Sequence, residues 1–332
     1  MNKPVKPMHV LKSDQFDRAF LDHICSLTDY IRRLDKSRSG LLYLRGLCEG
    51  KRAMLYFTQP STRTFLSFQT ACQILGVSTS EIRDSSISSE RKGESIEDSL
   101  RTFSSYVDLI IMRTPTPGMC DKIADTLDRT PRSVPIINAG SGPDQHPTQA
   151  ILDIYTLSRS FRKLGGIESK TIMMVGDLKR GRTIRSLSLL LRYYEGVKII
   201  FSSPEEFRID QDLREKLKKS GVNFEETTAF KEPLSIADAV YMTRVQDEYD
   251  TTAGESRKIN SSDYHLKFEH LSAMKSTAVI MHPFPRRNEL DVKIDDDPRA
   301  KYWRQERNGM WTRAALITMV LGMDQHIILP QL

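Results

Sequence analysis

Four arginines, Arg63, Arg113, Arg182 and Arg244, each stand a few residues past a short apolar run. A guanidinium stays charged at any working pH and can fork a carboxylate or a phosphate. Four of them in such places point to a polyanionic substrate. The first keeps the densest company: Ser61-Thr62-Arg63-Thr64 sets three hydroxyls and a cation after the run Met54 to Phe57. Phe68, Cys72 and Leu75 follow at helical spacing, and Gly76 closes them. The tetrapeptide therefore falls where a strand stops and a helix starts. Unpaired N–H groups and the positive helix end favour phosphate there. An ordinary Ser/Thr helix cap is the plainer alternative for this segment taken alone.

No nucleophile accompanies these cations. The chain carries no GxSxG elbow, no Walker A sequence and no GxGxxG after a strand. Catalysis by positioning and charge stabilisation is what remains. His146, in His146-Pro147-Thr148-Gln149, could donate from a neutral ring to a developing oxyanion, with Thr64 and Arg113 aimed at the same oxygen. Capping of the following helix is the competing role for His146. The polar stretch Asp84 to Ser95 reads either as a surface loop or as one that delivers Ser88 and Lys92 to an anionic site. Ser95 to Asp98 resembles a capping box for the next helix.

The elements that must hold these groups alternate. Strand-like runs at 52–57, 107–112, 134–138, 171–175, 197–201, 238–243 and 277–281 are separated by helical patterns. The expected fold is α/β, with two domains, each a mainly parallel sheet flanked by helices. The domains are expected at 1–148 plus 303–332 and at 149–302. A helix from about 148 to 163 would link them, and a last helix around 312–321, after Asn308-Gly309, would return to the first domain. Six strand ends carry Arg, His, Gln or hydroxyl groups, and ligands of open α/β sheets bind outside such ends.

With 332 residues, 39% of them hydrophobic, the chain can bury a large core. The formal charge of +6 comes mostly from Lys and Arg interleaved with Asp and Glu, which argues against a nucleic-acid stripe. No apolar run approaches spanning length and the N-terminal stretch lacks a signal-peptide core, so no membrane role is expected. Cys25, Cys48, Cys72 and Cys120 form no CxxC pair, which fits a reducing, cytoplasmic setting and no metal.

Together these motifs resemble the aspartate and ornithine carbamoyltransferases. The order is Ser61-Thr62-Arg63-Thr64, Lys92-Gly93-Glu94, Arg113, His146-Pro147-Thr148-Gln149, Gly176-Asp177-Leu178-Lys179, Arg182-Thr183, Arg244-Val245-Gln246 and His282-Pro283-Phe284-Pro285-Arg286, across about 50–320. The resemblance implies transfer of the carbamoyl group of carbamoyl phosphate to L-aspartate, an early step of pyrimidine synthesis, with no cofactor. It implies that Ser61, Thr62, Arg63, Thr64 and Arg113 hold the phosphate, and that Thr64, Arg113 and His146 polarise the carbonyl. Gln149 and the backbone carbonyls of Phe284 and Pro285 would orient the NH2 group. Arg182, Arg244 and Gln246 would hold the aspartate carboxylates. It further implies a homotrimer with shared sites, in which Ser88 and Lys92 come from a neighbour. Whether a regulatory chain or a dihydroorotase joins it is left open. An ornithine enzyme would be expected to carry a cysteine in the His-Pro-Phe-Pro segment and a different loop near 244.

Three positions depart from the family's commonest pattern: Gln59 in place of a glutamate, Phe65 in place of an arginine, and Tyr249 near another arginine. Gln59 and Tyr249 together would replace an ion pair by a neutral hydrogen bond, leaving no lone charge. Phe284 stands where leucine is common and is expected to matter little. Gln59→Glu is expected to change the aspartate dependence of steady-state kinetics, and an unchanged dependence removes the idea. Transfer to another amino acid and a non-catalytic paralogue are the alternative readings.

Overall fold

The computed structural model describes residues 8–84, 93–142, 145–250, 254, 256 and 262–327. The chain divides into two compact units, Met1–Thr148 with Gly309–Leu332, and Gln149–Asn308. Each is built on one parallel sheet.

In the first unit β1 (Arg52–Phe57), β2 (Ser78–Ile82), β3 (Leu109–Thr114) and β4 (Ile136–Ser141) stand in the order β2-β1-β3-β4. Helices α1 (Arg18–Leu34), α2 (Arg38–Leu47), α3 (Thr62–Ile74), α4 (Ile96–Ser104) and α5 (Met119–Leu127) accompany them. β1 and β3 are apolar runs buried along almost their whole length, as expected where helices cover both faces. Ser95 caps α4 by accepting from the Asp98 N–H, as its spacing suggested. The chain crosses from β1 to β2 on one side and then to β3 on the other. The carboxyl ends of β1 and β3 therefore flank a topological switch point.

The second unit holds β5 (Thr171–Val175), β6 (Lys198–Ser202), β7 (Asn223–Thr227), β8 (Ala239–Met242) and β9 (Val279–Met281) in the order β7-β6-β5-β8-β9. α7 (Arg182–Leu191) and α8 (Gln211–Lys219) belong to it. Its core gathers Met173, Val175, Ile200, Val240, Met242 and Ile280 with Leu266 and Tyr302. The switch point here lies between β5 and β8. The division between the units falls inside α6 (Pro147–Phe161) and inside α9 (Tyr302–Val320).

Two strands escaped the sequence reading. β2 (sequence STSEI) and β7 (sequence NFEET) pair on one side only and are largely solvated, so they carry no apolar run. α9 also begins ten residues before the helix expected at 312. Asn308-Gly309 lies within it and Gly309 is buried, so the pair read as a boundary is helix interior. Among the described residues no helix is long and apolar enough to cross a membrane, and none of the four cysteines is in a disulfide.

Candidate active site

In the first unit the backbone of Arg113 organises the phosphate-binding candidates. Its carbonyl accepts from the N–H groups of Thr58 (3.0 Å) and Gln59 (3.4 Å), which pins the turn leaving β1. The pairing register of β3 with β4 shifts between Met112 and Thr114, so Arg113 sits on an irregularity of the ladder. Such bulges re-aim a side chain. Arg113 is 7% exposed, and its Nη1 donates to the Ala139 carbonyl at 3.1 Å. One residue thus ties β1, β3 and β4 together at the switch point.

The turn delivers Ser61 to the N-cap of α3 in extended backbone (φ −166°), yet its hydroxyl makes no capping bond. The ordinary-cap alternative therefore fails for Ser61. Thr62 and Arg63 are exposed at the helix start and Thr64 is buried. α3 is anchored from two sides. Arg313 donates to Ser67 Oγ at 2.6 Å and lies 5.0 Å over the Phe68 ring. Phe65, one of the departures, is buried edge-on against Phe57 (5.4 Å), with the Arg83 guanidinium 4.4 Å from its ring centre. The phenylalanine fixes the first turn, and a cation reaches it from the end of β2. His146 is buried directly before α6, with Nδ1 3.5 Å from Thr148 Oγ1. Ser88 and Lys92 lie outside the described residues.

The second unit places Arg182, Arg244 and Gln246 at the ends of β5 and β8. Arg182 is the first residue of α7 and is half-buried. Arg244 forks Glu248: Nη1 donates to Oε2 at 2.8 Å, Nη2 donates to Oε1, and Nη1 also reaches the Val245 carbonyl at 2.9 Å. Burial pushes the Glu248 carboxyl up, but the Arg244 bonds outweigh it and hold the group below its ordinary value. Gln246 is held by its backbone, whose N–H donates to Asp177 Oδ2 at 3.1 Å. Asp177 is fully buried and also receives the Arg180 N–H and Nε. Arg180 is spent on this node, since it further binds Asp250 and Ser256 at 2.7 Å each. The side chain of Tyr249 lies outside the described residues.

Gly176 makes this packing work. Its φ is +113°, and a Cβ there would lie 2.2 Å from the Thr243 carbonyl oxygen. Gly176→Ala should cost about 2–4 kcal/mol, a drop in melting temperature on the order of 5–10 °C by calorimetry. It should also weaken binding of the carboxylate substrate expected at Arg244, by displacing the turn that bears it. An unchanged melting curve would contradict this packing. A cavity of about 470 Å³ opens at the same switch point, lined by Gly176, Thr243, Val245, Asp247, Arg287 and Glu289 among others. Arg287 forks Asp247 with two bonds of 3.0 Å. Neither residue stands out in the sequence, because Arg287 follows the last motif and Asp247 reads as a surface charge.

Phe284 and Pro285 follow β9. The His282 N–H donates to Gln305 Oε1 at 2.9 Å, and His282 Nδ1 accepts from the Phe284 N–H at 2.8 Å. Nε2 is then the protonated nitrogen and donates to Glu289 at 2.8 Å. Burial pushes the His282 ring below its ordinary value, so it stays neutral. Phe284 takes a left-handed backbone (φ 49°), with its ring 4.9 Å from Trp303 and 5.9 Å from Tyr302.

Two family models cover most of the chain. The carbamoyl-P binding domain of aspartate/ornithine carbamoyltransferase matches residues 8–159, and the Asp/Orn binding domain matches 168–320. The chain belongs to the aspartate/ornithine carbamoyltransferase family. It is 40% identical over 315 residues to the chloroplastic aspartate carbamoyltransferase of Arabidopsis thaliana, covering 94% of this chain and 77% of that one. The aspartate transcarbamoylase of Trypanosoma cruzi, solved with carbamoyl phosphate and aspartate, superposes with a TM-score of 0.85 at 31% identity, over 95% and 97% of the chains. The catalytic subunit of the Methanocaldococcus jannaschii enzyme gives 0.84 at 34%, over 97% and 100%.

Proposed function

We propose that this carbamoyltransferase is an aspartate carbamoyltransferase, forming N-carbamoyl-L-aspartate and phosphate from carbamoyl phosphate and L-aspartate. The observation that carries the reading is positional. Each unit sets its predicted anion-binding groups at the carboxyl-end switch point of its own sheet: Ser61–Thr64 with Arg113 in one, Arg182 with Arg244 and Gln246 in the other. The relatives named for this reaction supply the substrates.

The first set holds the phosphate. Arg113, Thr64 and His146 stabilise charge as it gathers on the carbonyl oxygen. Gln149 and the carbonyls of Phe284 and Pro285 accept from the NH2 group. The aspartate amine attacks the carbonyl carbon, the C–O bond to phosphate breaks, and the leaving phosphate takes the amine's proton. No protein base is needed on this route. The family resemblance supports a homotrimer to which Ser88 and Lys92 are contributed by a neighbour, and four cysteines outside any disulfide fit a reducing, cytoplasmic setting.

The test is carbamoyl transfer from labelled carbamoyl phosphate to aspartate and to ornithine in parallel. Labelled carbamoyl-aspartate with no citrulline is the expected result. The reverse pattern, or no transfer, overturns the reading.

A further inference from the structure

One buried carboxylate of the second unit that accepts from three side chains belongs to no predicted site. Asp153, on α6, is fully buried. Its Oδ1 accepts from Gln149 Nε2 at 3.0 Å and from Gln305 Nε2 at 2.7 Å, and its Oδ2 accepts from the Tyr241 hydroxyl at 2.7 Å. Gln305 is itself fully buried, and its Oε1 accepts from the backbone N–H of His282. A backbone N–H can only donate. Gln305 must therefore turn its oxygen to His282 and its NH2 to Asp153. As a carboxylate, Asp153 Oδ1 meets Gln149 only as an acceptor. Gln149 then gives its own NH2 to Asp153 and turns Oε1 the other way.

We propose that Asp153 is a positioning residue that fixes the amide polarity of Gln149 and, through Gln305 and His282, the backbone at Phe284, so that the carbamoyl NH2 group meets acceptors and no donors. This rests on the proposed carbamoyl transfer. It adds a basis for discrimination, because acetyl phosphate matches carbamoyl phosphate in shape but carries CH3 in place of NH2. Acceptors left facing a methyl group lose their partners in a buried place, which is costly.

The arrangement tolerates protonation. Burial pushes Asp153 up to about 7, against the bonds from Tyr241, Gln305 and Gln149 and with the charge of Glu306 on α9. A proton taken up on Oδ2 faces the Tyr241 hydroxyl, which can accept as well as donate. Oδ1 keeps both amides in either state.

The test compares wild type, Asp153→Asn and Asp153→Leu in the full-length enzyme, by the ratio of affinities for carbamoyl phosphate and acetyl phosphate. Asn can turn its oxygen to the two amides and its NH2 to Tyr241, so it should keep the ratio within about threefold. Leu offers no acceptor and should lower it by tenfold or more. A role for the negative charge alone predicts that Asn fails like Leu, which would overturn the proposal. So would a ratio unchanged in Asp153→Leu. Should that variant not fold, by its melting curve, Gln305→Leu removes the same polar pin: a tenfold fall supports the proposal and an unchanged ratio refutes it. Wild type that does not carbamoylate aspartate would sink the functional reading, whereas an active wild type with unchanged ratios sinks only this inference.

Discussion

Arg113→Leu should lower kcat/KM for carbamoyl transfer by about 10³–10⁴-fold while leaving the protein folded, a barrier increase of roughly 4–5.5 kcal/mol. The separation of these two effects follows from how the residue is used. What holds β1 and the turn to Ser61 is the Arg113 carbonyl, and that survives any substitution. What is lost is a buried guanidinium that donates to Ala139. The orphaned carbonyl should cost on the order of 1–3 kcal/mol of stability. The remaining loss is chemical, because no other described cation is fixed on β3. Arg113→Lys keeps the charge without the planar fork and should fall between, at about 10²-fold. Circular dichroism with steady-state kinetics separates the outcomes. A folded Arg113→Leu with activity within tenfold of wild type would remove this residue from the reaction.

Arg244→Gln should raise KM for aspartate by about 10²–10³-fold, with carbamoyl phosphate affinity unchanged, since the groups assigned to that substrate are not touched. The loss of a forked, charge-assisted contact explains roughly 3–4 kcal/mol. Glu248 adds to it. Its carboxylate is neutralised by Arg244, and without that partner it faces an incoming dicarboxylate as an uncompensated like charge. The double variant Arg244→Gln, Glu248→Gln should therefore bind aspartate better than the single one. Initial-rate kinetics with each substrate varied in turn checks both statements. A double variant weaker than the single would show that Glu248 acts on the substrate in another way.

The fold was legible where strands are buried. β1, β3, β4, β5, β6, β8 and β9 are apolar runs bounded by polar turns, and each was placed within two or three residues. β2 and β7 were not, because an edge strand satisfies its hydrogen bonds on one side and meets water on the other. Its side chains are then free to be Ser, Thr, Asn or Glu. The start of α9 is not legible because Asn308 and Gly309 look like a turn, whereas both are buried inside a helix.

The candidate site was legible as types and order, because anion binding demands arginines and hydroxyls that few other roles place after strands. Its supports were not. Asp153 reads as one polar residue in an apolar helix, and nothing in Ala150-Ile151-Leu152-Asp153 indicates that Gln305, 152 residues on, shares a hydrogen bond with it. Phe65 stands out as a departure, but its packing on Phe57 and beneath Arg83 depends on three segments that meet only in the folded unit. Arg180 shows the converse. By type and position it matches the four site arginines, and its commitment to Asp177, Asp250 and Ser256 removes it from that set.

In the proposed reaction both switch points contribute to one transfer. A crystal soaked with a bisubstrate analogue, a phosphonate joined to a dicarboxylate, tests it most directly. The expected result is density for one molecule per active site, its phosphonate on Ser61 to Thr64 with Arg113 and its carboxylates on Arg182, Arg244 and Gln246. An analogue bound through either end alone, or to other residues, would contradict it.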